Sequence, residues 1–162
     1  MNDIKVTKIY LDMDGVIADF EKRYVELFGI TPEVGIKMKK TEYWNEFIDD
    51  RHFASLPMMQ DAKMGLDVLK NLSIPTEILS STANKEMYEK ISQQKREWLQ
   101  HHNINFTRNF VPGKDLKYHY ATPDSIIIDD TPSVIEDWVK AGGIGILHKN
   151  WANTLEILRK YV

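Results

Sequence analysis

No cysteine occurs among the 162 residues, which excludes disulfides and thiolate metal sites. A zero count suits a reducing cytoplasm, the location expected here, without requiring it. No apolar run approaches the ~20 residues of a membrane span, so no membrane partner is expected. The opening stretch Met1–Lys8 is polar and charged and shows no secretory signal. Basic charge is not in excess either: the net charge is −3, and Lys37, Lys39 and Lys40 read as a solvated face. A nucleic-acid duplex is therefore disfavoured as a partner, whereas a small anion held in one pocket is not. Internal repeats and low-complexity stretches are also lacking. What is present is a globular composition, 43% hydrophobic and 28% charged, in a chain of one-domain size. Such a chain buries roughly two-thirds of its unfolded surface and needs no staple.

Hydropathy alternates between strand and helix patterns. Val6–Leu11 is a short apolar run that stops at two aspartates, and Ser125–Ile128 is the most apolar strand candidate. Thr76–Ser80, Phe110–Val111 and Ile144–Leu147 are the other strand candidates. Helices are expected over Ala18–Phe28, ended by Gly29, and over Leu66–Leu72. A longer one is expected over Lys85–His102, with Met87, Ile91 and Trp98 on one face. Thr131 and Pro132 open another as N-cap and first helical residue, with Ile135, Trp138 and Val139 inward and Gly142-Gly143 at its end. Leu155–Leu158 lies in a closing helix.

Continuous apolar strands alternating with helices predict an α/β fold, a Rossmann-like parallel sheet flanked by helices. Ligands in such sheets bind beyond the carboxyl ends of the strands. Three candidate strands end in Asp12/Asp14, Ser80/Ser81 and Asp129/Asp130, so polar residues converge there. The stretch from Asp14 to Ser80 far exceeds a usual connection of ~4–6 residues. It predicts a small helical cap at residues 20–64, inserted into a catalytic core of residues 1–19 and 65–162.

In Leu11-Asp12-Met13-Asp14-Gly15-Val16, two carboxylates repel each other, which predicts a cation beside them. Magnesium suits such oxygen ligands. A carboxylate can also attack phosphorus and form an acyl phosphate. Gly15 would let the backbone turn sharply beneath a phosphate. Taken alone, the pattern reads equally as a capped turn. Asp129-Asp130 adds acid at a second strand end, although Asp130 or Thr131 also suits a helix cap. Ser80, Ser81 and Thr82 offer donors to phosphate oxygens, or plain caps for the next helix. Lys114 or Lys117 can offset the carboxylates and a phosphate. His101-His102 point to different helix faces, and His52, His119 and His148 show no partner, so no histidine receives a role.

The nine residues Asp12-Met13-Asp14-Gly15-Val16-Ile17-Ala18-Asp19-Phe20 resemble the first motif of the haloacid dehalogenase superfamily. Within it they are most similar to the 5'(3')-deoxyribonucleotidases, whose signature reads D-M-D-G-V-x-A-D-F. The later motifs follow in order: Ser80 with Ser81, then Lys117, then Asp129-Asp130. Lys95 and Trp98 resemble the K-x-x-W-V pattern of the family's helix after the second motif. The resemblance implies that Asp12 attacks phosphorus and that Asp14 protonates the leaving alcohol and then activates water. It implies Mg2+ held by the Asp12 side chain, the Asp14 backbone carbonyl and Asp130, with Asp129 in support. Ser80, Ser81 and Lys117 would hold the phosphoryl group. Phe20, Tyr43 and Trp44 would wall a nucleobase. The sequence departs from the family in three places: serine stands for the usual threonine at Ser80, Thr131 for a common arginine, and Gln60-Asp61 near a missing proline-glycine step.

The expected activity is thus a magnesium-dependent phosphomonoester hydrolase acting on nucleoside monophosphates, and a homodimer is compatible with it. The competing readings are a phosphatase for another small phosphomonoester, such as a sugar phosphate, and a non-catalytic binding protein of the same fold.

Overall fold

The structure, a computed structural model, describes residues 5–162. Residues 1–4, which belong to the expected core segment 1–19 and to the stretch read for a secretory signal, lie outside it. Five strands form one parallel sheet: β1 (Lys8–Leu11), β2 (Thr76–Ser81), β3 (Thr107–Val111), β4 (Ser125–Asp129) and β5 (Ile144–Leu147). Their spatial order is β3-β2-β1-β4-β5, so the chain builds outward from β1 on one side and then crosses to the other. That reversal puts a topological switch point at the carboxyl end of β1, where open α/β sheets receive ligands. In register, Leu11 pairs with Ile128 on one side and with Ile78 on the other.

Seven helices accompany the sheet. α1 (Phe20–Phe28), α2 (Pro32–Lys37) and α3 (Thr41–Asp49) fall between β1 and β2, followed by a 3-10 turn at His52–Ala54 and by α4 (Ala62–Lys70). α5 (Tyr88–His101), α6 (Pro132–Lys140) and α7 (Trp151–Leu158) follow β2, β4 and β5, and a 3-10 segment at Lys114–Tyr120 precedes β4. None of the described helices is long and apolar enough to cross a membrane.

Strand side chains alternate between faces, and here the two faces have different cores. Ile9, Leu11, Ile78, Ile126 and Ile128 pack with Trp98 of α5 and Trp151 of α7. Leu79, Val111 and Ile127 face the other way, onto Val134 and Trp138 of α6. This alternation decides which lysine meets which aspartate at the strand ends.

Several details differ from the sequence pattern. β3 runs over Thr107–Val111 rather than Phe110–Val111 alone. Met87 is the residue before α5 instead of part of its apolar face. Val139 is 53% exposed: successive helix positions are ~100° apart, and Trp138 takes the inward one. Thr131 precedes α6 without a side-chain cap bond; its N–H instead donates to Asp129 Oδ1 at 3.0 Å.

α7 also braces the loop after β1. Trp151 Nε1 donates to the Val16 carbonyl at 2.9 Å, and the Trp151 N–H donates to Asp61 Oδ2 at 2.7 Å. A Cβ at Gly65 would lie 2.1 Å from the Trp151 ring, so α4 approaches it closely. Trp151→Phe keeps much of the packing but leaves a buried carbonyl unpaired. The expected loss is about 1–3 kcal/mol, read as a lower midpoint of urea unfolding with an unchanged slope.

Candidate active site

Beyond β1 the chain turns at once. The Met13 carbonyl accepts from the N–H groups of Val16, Ile17 and Ala18 at 3.1, 2.9 and 3.0 Å, and Gly15 N–H donates to the Ala18 carbonyl at 2.9 Å. Residues 57–59 clamp this loop: Asp19 N–H donates to the Pro57 carbonyl, and Met59 N–H to the Ile17 carbonyl, both at 2.8 Å. Asp12 and Asp14 are thus held at the sheet edge by backbone bonds before any side chain acts.

Asp12 and Asp129 both follow the alternation of the α6 face, which is where the 3-10 segment lies. Lys117 from that segment donates to Asp12 Oδ1 at 2.9 Å and to Asp129 Oδ2 at 2.7 Å. All three residues are buried. Burial alone would lower the Lys117 ammonium, but the two carboxylates outweigh it and hold the group well above the usual lysine range. Lys114 lines the outer cleft and is exposed. Of the two lysines, Lys117 is therefore the one that meets the acids.

Asp12, Asp129 and Asp130 each offer a carboxylate oxygen, all within 4.8 Å of one another. Lost solvation together with the Asp12 carboxylate raises Asp129 to about 6, and the same causes, with Asp129 added, raise Asp130 to about 8. Three acids so close resist ionising together, and a divalent cation relieves that repulsion. Both Asp129 oxygens are engaged, one by Lys117 and one by the Thr131 N–H. Asp12 Oδ2 and Asp130 are the oxygens available for a hard cation among the described residues. The donor set, all oxygen, fits magnesium. Gly15, at φ +81°, makes the Asp130 approach feasible: a Cβ there would sit 2.0 Å from Asp130 Oδ2.

The other expected residues divide. Asp14 turns to the opposite face, where Lys95 of α5 donates to its Oδ2 at 3.1 Å. Burial raises the Asp14 carboxyl and Lys95 partly offsets that. Ser80, expected at the phosphate, is fully buried and accepts from Lys95 at 2.7 Å. Strand alternation is the reason, since Ser80 shares the Ile78 face under α5. The hydroxyl residues that reach the cleft are Ser81 and Thr82. Ser81 Oγ accepts from the Ala83 N–H at 3.1 Å.

The cleft over these groups has a volume of about 810 Å³. Phe20 and Trp44 line it, with ring centroids 6.1 Å apart, and Phe53 stacks on Phe20 at 5.4 Å. Tyr43, expected beside them, does not line the cleft. Its ring stacks on Phe28 at 4.4 Å, because adjacent residues on α3 point to different sides. His148 has a partner after all: its Nδ1 lies 2.7 Å from Thr154 Oγ1, buried behind β4, and burial lowers its pKa. Lys95 is the residue whose role the sequence reading missed. The available signal was a charge four residues after Ile91 and three before Trp98, on the buried stripe of a helix.

No protein-family model matches the chain, and no curated protein matches it in sequence. Solved structures do match. A hydrolase from Streptococcus pneumoniae aligns with a TM-score of 0.58 at 17% identity, over 96% of this chain and 99% of that one. A HAD-superfamily hydrolase from Ehrlichia chaffeensis gives 0.59 at 14% identity over 99% of both. A HAD family hydrolase from Deinococcus radiodurans, solved with bound phosphate and sodium, gives 0.51 at 12% identity, over 96% of this chain and 89% of that one. At such identities the likeness is one of fold: the chain has a haloacid dehalogenase-like α/β fold.

The acid cluster predicts a pH-dependent response to metal. With folded values of about 6 and 8 against an ordinary unfolded value near ~4, ionising Asp129 and Asp130 weakens the fold progressively as pH rises toward 8. Magnesium should therefore raise the melting temperature more at pH 8 than at pH 6. At a hundredfold excess over Kd the gain is about 2.7 kcal/mol, or several degrees for a chain of this size. In Gly15→Ala, where the Asp130 carboxylate is displaced, the shift should disappear at the same magnesium concentration. An equal shift at both pH values would contradict the assignment.

Proposed function

We propose that the chain is a magnesium-dependent phosphomonoester hydrolase that works through an aspartyl-phosphate intermediate and acts on nucleoside monophosphates. The observation that carries this reading is the Lys117 ammonium bridging Asp12 and Asp129 at the floor of a cleft that also holds Asp14, Asp130 and Ser81. Phosphoryl transfer asks chiefly for positioning and for charge stabilisation, and this constellation supplies both.

In this account an Asp12 oxygen attacks phosphorus while the bond from phosphorus to the ester oxygen breaks. Asp14, whose carboxyl burial keeps raised, gives its proton to the departing alcohol. Water then adds to phosphorus as the acyl–phosphate bond breaks, and Asp14 takes the water's proton. Lys117 uses two of its three donors on Asp12 and Asp129, which leaves one for a phosphoryl oxygen. A magnesium ion held by Asp12 and Asp130 would offset the charge shared by the carboxylates and the phosphate. Ser81 and the neighbouring backbone are the groups that would orient the phosphoryl oxygens.

Two features support the nucleoside monophosphate class. Phe20 and Trp44 give the cleft an aromatic wall, and a base stacked on such a wall gains ~1–3 kcal/mol per contact. The outer cleft carries Asp19, Glu21 and Glu33, whose charge disfavours a second phosphate on the substrate. The placement of Tyr43 against Phe28 shortens the aromatic wall, and that observation favours a sugar phosphate as the second reading.

Phosphate release with magnesium across a panel of nucleoside monophosphates and sugar phosphates tests the class. Trp44→Ala should raise KM for a nucleotide about 5- to 150-fold, the range of one stacking contact, and leave p-nitrophenyl phosphate much less affected. Equal increases for both esters would remove the base-stacking role.

A further inference from the structure

Lys95 lies on α5 and is 1% exposed. A buried ammonium is retained only where its donors are matched. Its Nζ donates to Asp14 Oδ2 at 3.1 Å, to Ser80 Oγ at 2.7 Å and to the Ser81 carbonyl at 2.8 Å. An ammonium has three N–H donors, so all of them are engaged and none is left for a substrate phosphate. Lys117 contrasts with it, having two carboxylate partners and a donor to spare. The Phe53 ring, with its centroid 5.4 Å from Lys95 Nζ, closes another side of the group.

Asp14 is held from one end only. Its Oδ2 is tethered to Lys95, while Oδ1 is buried and has no hydrogen-bond partner. An unpartnered buried carboxylate oxygen is costly, and the cost is smallest when that oxygen carries the proton. We infer that Lys95 is a positioning residue for proton transfer: by fixing Oδ2 it makes Oδ1 of Asp14 the oxygen that delivers the proton to the leaving alcohol. Ser80 and the Ser81 carbonyl anchor the ammonium from β2, so the acid is set by the sheet rather than by the mobile side chain of Asp14 itself. The inference rests on the phosphatase reading of the site. As the P–O bond to the alcohol breaks and the Asp12–phosphorus bond forms, the proton moves from Oδ1 to the departing oxygen, and charge balances without a further reactant.

Leaving-group dependence separates this role from general support of the fold. An alcohol leaves poorly without a proton, whereas p-nitrophenolate needs little help. Lys95→Met should lower kcat/KM for a nucleoside 5'-monophosphate about 100-fold, and by at least tenfold more than for p-nitrophenyl phosphate. Equal losses on both esters, or no loss on either, would overturn the inference. If Lys95→Met fails to fold, as judged by urea unfolding, Ser80→Ala serves instead, since it removes one anchor of three. Its loss should again be greater on the nucleotide, and equal losses would overturn the inference in the same way. A wild-type protein inert toward both esters with magnesium present would instead remove the phosphatase reading on which the inference stands.

Discussion

The contact of the Lys117 ammonium with the Asp12 and Asp129 carboxylates holds the site together. Two acids at neighbouring strand ends, 6% and 0% exposed, would otherwise repel each other in a medium that screens poorly. The lysine offsets that repulsion from one face of the sheet and so permits the strands to end in charge. It does not neutralise the cluster, because Asp130 adds a third carboxylate. The remaining negative charge is what a cation and then a phosphoryl group would meet. The same arrangement makes the empty cluster a source of instability that a ligand relieves, as is common where binding sites are built from like charges.

A second consequence follows from the strand period of two. Asp12, Ser81 and Asp129 fall on the α6 face, where Lys117 waits, whereas Ser80 falls on the α5 face beside Lys95. Asp14, past the turn at Gly15, reaches the second lysine. The sheet edge therefore separates two carboxylates only two residues apart, giving each its own ammonium and its own surroundings. Asp12 is paired within the acid cluster beside the cation ligands. Asp14 is buried against α5 and its carboxyl is raised. Pairs of acids whose environments push them apart in this way are suited to divide nucleophilic and proton-transfer work.

Much of this was legible in the chain itself. Apolar strands ending in Asp12 and Asp129 announced a parallel sheet with its site at the strand ends, and the sheet order agrees. The D-M-D-G-V-x-A-D-F resemblance named the fold, which the solved structures share. Other features needed three dimensions. Ser80 and Ser81 are interchangeable in sequence, and only their side of the sheet tells which one is free to face the cleft. Tyr43 and Trp44 are both good stacking residues, and the helix phase that turns one to Phe28 and the other to the cleft depends on how α3 docks. Lys95 was hidden for a related reason. Its sequence neighbours are polar, so its burial shows only when α5 is laid on β2.

The central claim is that Asp12 becomes covalently phosphorylated. Its most direct test is acid-quenched turnover of a nucleoside monophosphate with magnesium, followed by peptide mass mapping. The account predicts the mass of one phosphoryl group on the peptide carrying Asp12, absent in Asp12→Asn. Steady turnover with no phosphorylated peptide, or with the label on another residue, would contradict it.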